Sequence, residues 1–121
     1  MKFTEEHLWM RVEDGEDEIT VGLSSYGAAE IGDVKYIELP EEGDILSADD
    51  PVVVLEAGDD AIDILAPLDG EVTEANMRLI DAPEIIAEDP QGSGWLFKMS
   101  IDDPDALEEF MSEATYQKYA R

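Results

Sequence analysis

The chain has 121 residues, with 7 Lys and Arg against 32 Asp and Glu, a formal net charge of −25 with its single histidine neutral. Phosphates are neutralised by clustered Lys and Arg, but here the lysines (Lys2, Lys35, Lys98, Lys118) and arginines (Arg11, Arg78, Arg121) are scattered, which excludes nucleic acid as a partner. An anionic membrane surface is excluded for the same reason.

The length falls within the ~100–150 residues common for one domain, and 44% hydrophobic content suffices for a core, so one ordered domain spanning 1–121 is expected. Without cysteine there is no disulfide, thiolate nucleophile or cysteine zinc site, and a lone histidine rules out His-x-x-x-His pairs. Met1-Lys2-Phe3-Thr4-Glu5-Glu6 has neither a secretory nor a transit-peptide pattern, and no run of ~18 apolar residues occurs. A soluble, cytoplasmic, monomeric protein is expected.

Short apolar runs between Gly, Pro and Asp clusters predict strands over most of the chain. Leu8-Trp9-Met10-Arg11-Val12 and Ile19-Thr20-Val21-Gly22-Leu23 form a hairpin around Glu13-Asp14-Gly15. Ser24 or Ser25 caps a short helix, Tyr26 to Ile31, ended by Gly32-Asp33. Val34 to Leu39 alternates as a strand and breaks at Pro40, with Glu41-Glu42-Gly43-Asp44 as the next turn.

Pro51 to Glu56 and Ile62 to Pro67 read as strands joined by Ala57-Gly58-Asp59-Asp60-Ala61. A type II′ turn centred on Gly58-Asp59 pairs Leu55 with Ile62 and Val53 with Ile64. A turn centred on Asp59-Asp60 would oppose Glu56 to Asp63, a like-charge pair. Either turn puts Asp59 at the tip.

Glu71 to Asn76 is a further strand, and Asp81-Ala82-Pro83-Glu84-Ile85-Ile86 a capped helical turn. Trp95 to Ile101 is a strand with Trp95, Phe97, Met99 and Ile101 on one face. Asp103 then caps a helix over about 104–119, with Leu107, Phe110, Met111 and Ala114 as its apolar stripe. Strands followed by one amphipathic helix predict a mainly β sandwich or barrel with a terminal helix packed on it.

The catalytic possibilities are thin. Gly92-Ser93-Gly94 lacks a phosphate-loop lysine and reads as a turn. A serine triad would have only His7 as base, in an N-terminal segment expected to be mobile. Asp59, Asp60 and Asp63 form an acidic cluster that suits a hard cation by ligand type but not by calcium-loop spacing, so a solvated turn is the plainer reading. Trp9, Tyr36, Trp95, Phe97 and Phe110 read as core residues.

In order and spacing, several motifs are similar to those of the glycine cleavage H-protein family. They are Phe3-Thr4-Glu5-Glu6-His7-Leu8-Trp9, Val21-Gly22-Leu23, the run Gly32 to Gly43, Ala66-Pro67-Leu68-Asp69-Gly70-Glu71-Val72 with Asn76, and the run Glu88 to Lys98. The resemblance implies a lipoyl/biotinyl-domain-like sandwich of two small antiparallel sheets (a barrel-sandwich hybrid), with a C-terminal α-helix and one or two short helices. It implies a carrier rather than an enzyme. In the family, a lysine at a hairpin tip bears lipoate and passes an aminomethyl group between glycine decarboxylase, aminomethyltransferase and dihydrolipoamide dehydrogenase, the cofactor supplying the chemistry.

At that hairpin this sequence departs from the pattern. Family members usually read Glu-Ser-Val-Lys-Ala-Ala-Ser-Asp, which lays Glu56 on the glutamate, Asp63 on the aspartate and Asp59 on the lysine. A carboxylate cannot form the lipoyl amide, so no cofactor is expected on this chain. Glu56, Gly58, Asp60 and Asp63 are the flanks by which the hairpin would be recognised. Ala57-Gly58 replaces the usual Ser-Val, Leu8 replaces a glutamate between His and Trp, and Ala87-Glu88 replaces an asparagine.

Three readings stay open. The chain is a non-lipoylated paralogue that binds a family partner or a lipoate-handling enzyme as scaffold, decoy or regulator; or an altered or engineered variant of a true carrier; or a metal- or small-molecule-binding module that reuses the fold. The first is favoured because several neighbouring positions differ together. The acid excess also resembles that of proteins from salty cytoplasm.

Overall fold

The computed structural model describes residues 2–12 and 17–120. Two antiparallel sheets share one core. The first hairpin pairs β2 (Leu8–Val12) with β3 (Glu18–Leu23) in the register Leu8↔Leu23 through Val12↔Ile19, while its expected turn, 13–15, lies outside the described residues. Including β1 (Lys2–Phe3), β5 (Ile45–Leu46), β8 (Gly70–Ala75), β9 (Phe97–Ile101) and β10 (Met111–Ser112), the larger sheet runs β10-β1-β2-β3-β9-β8-β5. The smaller sheet is β4 (Tyr36–Glu38), β6 (Pro51–Ala57) and β7 (Asp60–Leu65) in the order β4-β6-β7.

Period-two alternation decides what each face of the larger sheet meets. Leu8, Met10, Ile19, Val21, Phe97 and Met99 turn inward to Val53, Leu55 and Ile64 of the smaller sheet, and all are buried. Each such side chain contributes on the order of 1.5–3 kcal/mol. Trp9 points the other way and forms a second cluster with Phe3 and Tyr116. Opposite it in the ladder is Gly22, where a Cβ would come within 2.6 Å of the indole ring. The indole N–H of Trp9 donates to Pro90 O at 2.9 Å. The larger sheet is thus covered on both faces where its N-terminal strands lie.

The first helix, α1 (Ser25–Ile31), is capped as expected: Ser24 accepts from Gly27 N, and Gly32 closes the helix at φ 78°. Where one capped turn was expected over 81–86, two short helices form, α2 (Arg78–Asp81) and α3 (Ile85–Glu88). The segment 90–94 is a turn, with the Asp89 carboxylate accepting from Ser93 N at 2.8 Å. Buried Asn76 clamps this turn by donating to Ser93 O and Trp95 O at 2.9 and 2.8 Å.

Three expectations are corrected. The helix expected over 104–119 is three elements: a 3₁₀ helix (Pro104–Glu109), β10, and α4 (Glu113–Ala120). Phe110 is extended, at φ −89° and ψ 161°, because the chain there turns to pair with the open edge of β1, Phe3↔Met111. Ala114 is consequently exposed, and Tyr116 is the residue that α4 buries. Tyr36, expected in the core, is 70% exposed on β4. Trp95 precedes β9 and joins the second cluster, while Leu96 takes the buried position in the main core.

Candidate functional site

The β6–β7 hairpin takes the first of the two registers weighed from sequence. Val53 faces Ile64, Leu55 faces Ile62 and Ala57 faces Asp60, which leaves Gly58 and Asp59 as the two turn residues. Gly58 has φ +63°, while Asp59 is not among the positive-φ residues, the combination that a type II′ turn requires. Glu56 lies opposite Ala61, and Asp63 opposite Val54, so the like-charge pairing is avoided. Asp59 stands exposed at the tip, with Glu56, Gly58, Asp60 and Asp63 also exposed around it.

The acidic cluster of the tip is not assembled for a cation. Asp60 and Asp63 differ by three positions on β7, so strand alternation sends them to opposite faces. Among the described residues no group of three or more His, Asp and Glu side chains is gathered as a metal site needs. Asp59, Asp60 and Asp63, the weaker alternative to a solvated turn in the sequence reading, are all exposed and are not brought together on one face.

Lipoyl attachment needs an amine, and the hairpin from Pro51 to Leu65 contains no lysine. The tip as it stands does not fit that group. Lys35, which the sequence pattern placed within a strand, immediately precedes β4, and its N–H donates to Glu56 O at 2.7 Å. It flanks the hairpin side-on and exposed, but it is not part of the turn.

Beside β7 lies a cleft of about 390 Å³. Leu8, Leu23, Ile31, Ile62 and Ile64 make its apolar walls, and Glu6, His7, Glu30 and Asp63 stand around them. Leu8 is thus in the wall of a cleft that also borders the hairpin.

His7, expected in a mobile segment, is held from several sides. Its backbone takes φ +67°, its carbonyl accepts from Ser24 N at 2.8 Å, and its Nδ1 lies 2.5 Å from the Tyr116 hydroxyl. Its Nε2 is 3.8 Å from the Glu30 carboxylate. Gly27 permits this approach, since a Cβ there would meet His7 Cβ at 2.9 Å. Tyr116 also lies 2.6 Å from Ser24 Oγ. Burial raises the pKa of its phenol, the Ser24 hydrogen bond works against that, and Glu30, Tyr26 and Tyr119 add to the rise.

Sequence reasoning missed Tyr116 and Glu30 as neighbours of His7, because a stripe drawn for one continuous helix ran through Ala114 instead. Ser24 was visible as a cap. Among the described residues, no nucleophile is aligned with the His7 ring for acyl transfer; the Ser24 hydroxyl is linked to the imidazole through the tyrosine hydroxyl, and it already serves as the cap of α1.

Comparison with known proteins agrees with this architecture. The family described as glycine cleavage H-protein matches residues 1–121. The chain is 40% identical over 117 residues to a glycine cleavage system H protein of Psychrobacter, covering 97% of this chain and 92% of that protein. It is 40% identical over 118 residues to the one of Thermotoga maritima, covering 98% and 94%. The crystal structure of the H protein from Mycobacterium marinum superposes with a TM-score of 0.83 at 29% identity, covering 98% of this chain and 92% of that one. With the family match running over the whole chain and relatives 40% identical along nearly all of it, the chain belongs to the glycine cleavage H-protein family.

Proposed function

We propose that this chain is a non-lipoylated member of the family that acts by binding a partner of the glycine cleavage system, as scaffold, decoy or regulator. Members of the family are lipoyl carriers rather than catalysts. The observation that carries the proposal is Asp59 at the turn of a hairpin without a lysine. A carboxylate offers lipoate no amide bond and reverses the charge of the tip.

The partners that fit are those of the family: glycine decarboxylase, aminomethyltransferase, dihydrolipoamide dehydrogenase and the enzymes that handle lipoate. We place the chain in the cytoplasm as a monomer of one domain. The intact turn geometry also fits a second reading, a true carrier altered at position 59. Leu8, Ala57 and Gly58 speak for the paralogue, since a single knock-out would leave them as the family has them.

Intact mass of the chain from its native source tests the proposal. The expected mass is that of the bare polypeptide; an added lipoyl group would refute it. Purified partners offered to the chain should then show binding by at least one of them.

A further inference from the structure

A groove on the flank of the molecule, apart from the hairpin tip and the cleft beside β7, is built from two unrelated segments. Leu39 and Pro40 follow β4, and Ala75, Met77 and Ile80 span the end of β8 and helix α2. Leu79 is fully buried and fixes the single turn of α2, which leaves Met77 and Ile80 at 61% and 50% exposure. The groove measures about 540 Å³.

Single exposed apolar residues are ordinary on protein surfaces. Here five apolar residues line one groove, in a chain whose surface is otherwise crowded with acids. Glu41, Glu42 and Glu74 line it too, all exposed, and no Lys or Arg does. Arg78, the cation of α2, lines the adjoining hollow with Ser93 and Trp95, a hollow that shares Glu74, Ala75 and Met77 with the groove, while Glu41 and Glu42 line the groove alone.

We propose that this groove docks a basic amphipathic segment of a partner protein, its apolar side chains against Met77 and Ile80 and its Lys or Arg side chains against Glu41, Glu42 and Glu74. Charge complementarity selects this occupant. Lys and Arg cover apolar surface with their stems while bringing their charge to a carboxylate rim. A second copy would bring the same rim and a net charge of −25 against itself. The inference deepens the partner-binding reading above and rests on it, yet the two fail on different measurements: a lipoyl mass would remove that reading and leave peptide binding at the groove to be measured on its own.

The test uses the full chain, methyl-labelled at Met and Ile, and three synthetic helical peptides: one of Leu and Lys, one with its Leu changed to Ser, and one with its Lys changed to Glu. The Leu/Lys peptide should shift the Met77 and Ile80 methyl signals saturably. Affinity should fall roughly tenfold or more for each altered peptide and for a Met77→Ser/Ile80→Ser double variant. A Glu42→Lys/Glu74→Lys variant, which leaves the apolar walls intact, should weaken binding similarly and keeps the test decisive if the first variant fails to fold. Shifts spread evenly over the acidic surface, or equal binding of the Leu/Lys and Ser/Lys peptides, would overturn the proposal. So would self-association of the free chain that the double variant abolishes, because the groove would then belong to a second copy.

Discussion

The hydroxyl of Tyr116 lies 2.6 Å from Ser24 Oγ, tying the last helix to the N-cap of the first across 92 positions of sequence. The same hydroxyl meets His7 Nδ1 at 2.5 Å, and the ring stacks on Phe3 with centroids 4.5 Å apart. Tyr116→Phe keeps the stacking and deletes only the polar link, leaving Ser24 and His7 each short of a partner. The expected loss is about 1–3 kcal/mol of unfolding free energy, read by urea denaturation. An unchanged midpoint would show that the link is stabilisation-neutral.

Alkaline stability follows from the same residue. The phenol's pKa is raised above its ordinary 10.0, first by burial, so the folded state holds this proton more tightly than the unfolded chain does. Its contribution is complete below about pH 10, where both states are protonated, and is lost as pH climbs from there through the higher folded value. Stability should therefore decline above pH 10 more steeply in the parent chain than in Tyr116→Phe. Parallel curves for the two proteins would contradict this.

Gly22 carries no side chain because Trp9 occupies the space. In Gly22→Ala the new methyl would stand 2.6 Å from the indole ring, which is completely buried and hydrogen-bonded to Pro90 O. Displacing the ring should cost about 1–3 kcal/mol and red-shift the tryptophan emission as Trp9 meets water. A variant with parental midpoint and spectrum would mean that the sheet yields without moving the indole.

At the hairpin, the turn is already of the type that presents one side chain at its apex. Asp59→Lys should therefore become a substrate for a lipoate ligase, gaining one lipoyl group that peptide mapping places at position 59 and not on Lys35. A folded variant that gains no mass would show that Ala57, Gly58 and Asp60 have removed what the ligase reads beyond the lysine itself.

Salt should stabilise the fold. With 32 acids against 7 basic residues, most carboxylates face like charge across the surface. Raising ionic strength from 0.1 to 1 M shortens the screening length from about 10 to 3 Å, which should raise the urea midpoint. A midpoint indifferent to sodium chloride would overturn the picture of a self-repelling surface.

The hairpin was legible in the sequence because two local rules agreed there: glycine at the first turn position, and a register that keeps Glu56 from Asp63. The capping of α1 by Ser24 was legible for the same kind of reason. The C-terminal segment was not, since the periodicity of Leu107, Phe110, Met111 and Ala114 is a local signal, whereas Phe110 is drawn into extended geometry by a strand more than 100 residues away. His7 was misjudged likewise: what holds it, Tyr116 and Glu30, is contributed by elements distant in sequence. The groove at Met77 and Ile80 was invisible because its two walls come from segments that only the fold brings together.

Pairing of Lys2 with Ser112 and of Phe3 with Met111 also sets an order of events. During synthesis the edge of β1 and the Trp9 face of the sheet stay uncovered until residues 111–120 exist, so the second cluster can close only after β1 to β9 have been made. A nascent chain stalled short of Tyr116 would expose an unpaired strand and an aromatic face together, the combination most open to capture by a chaperone.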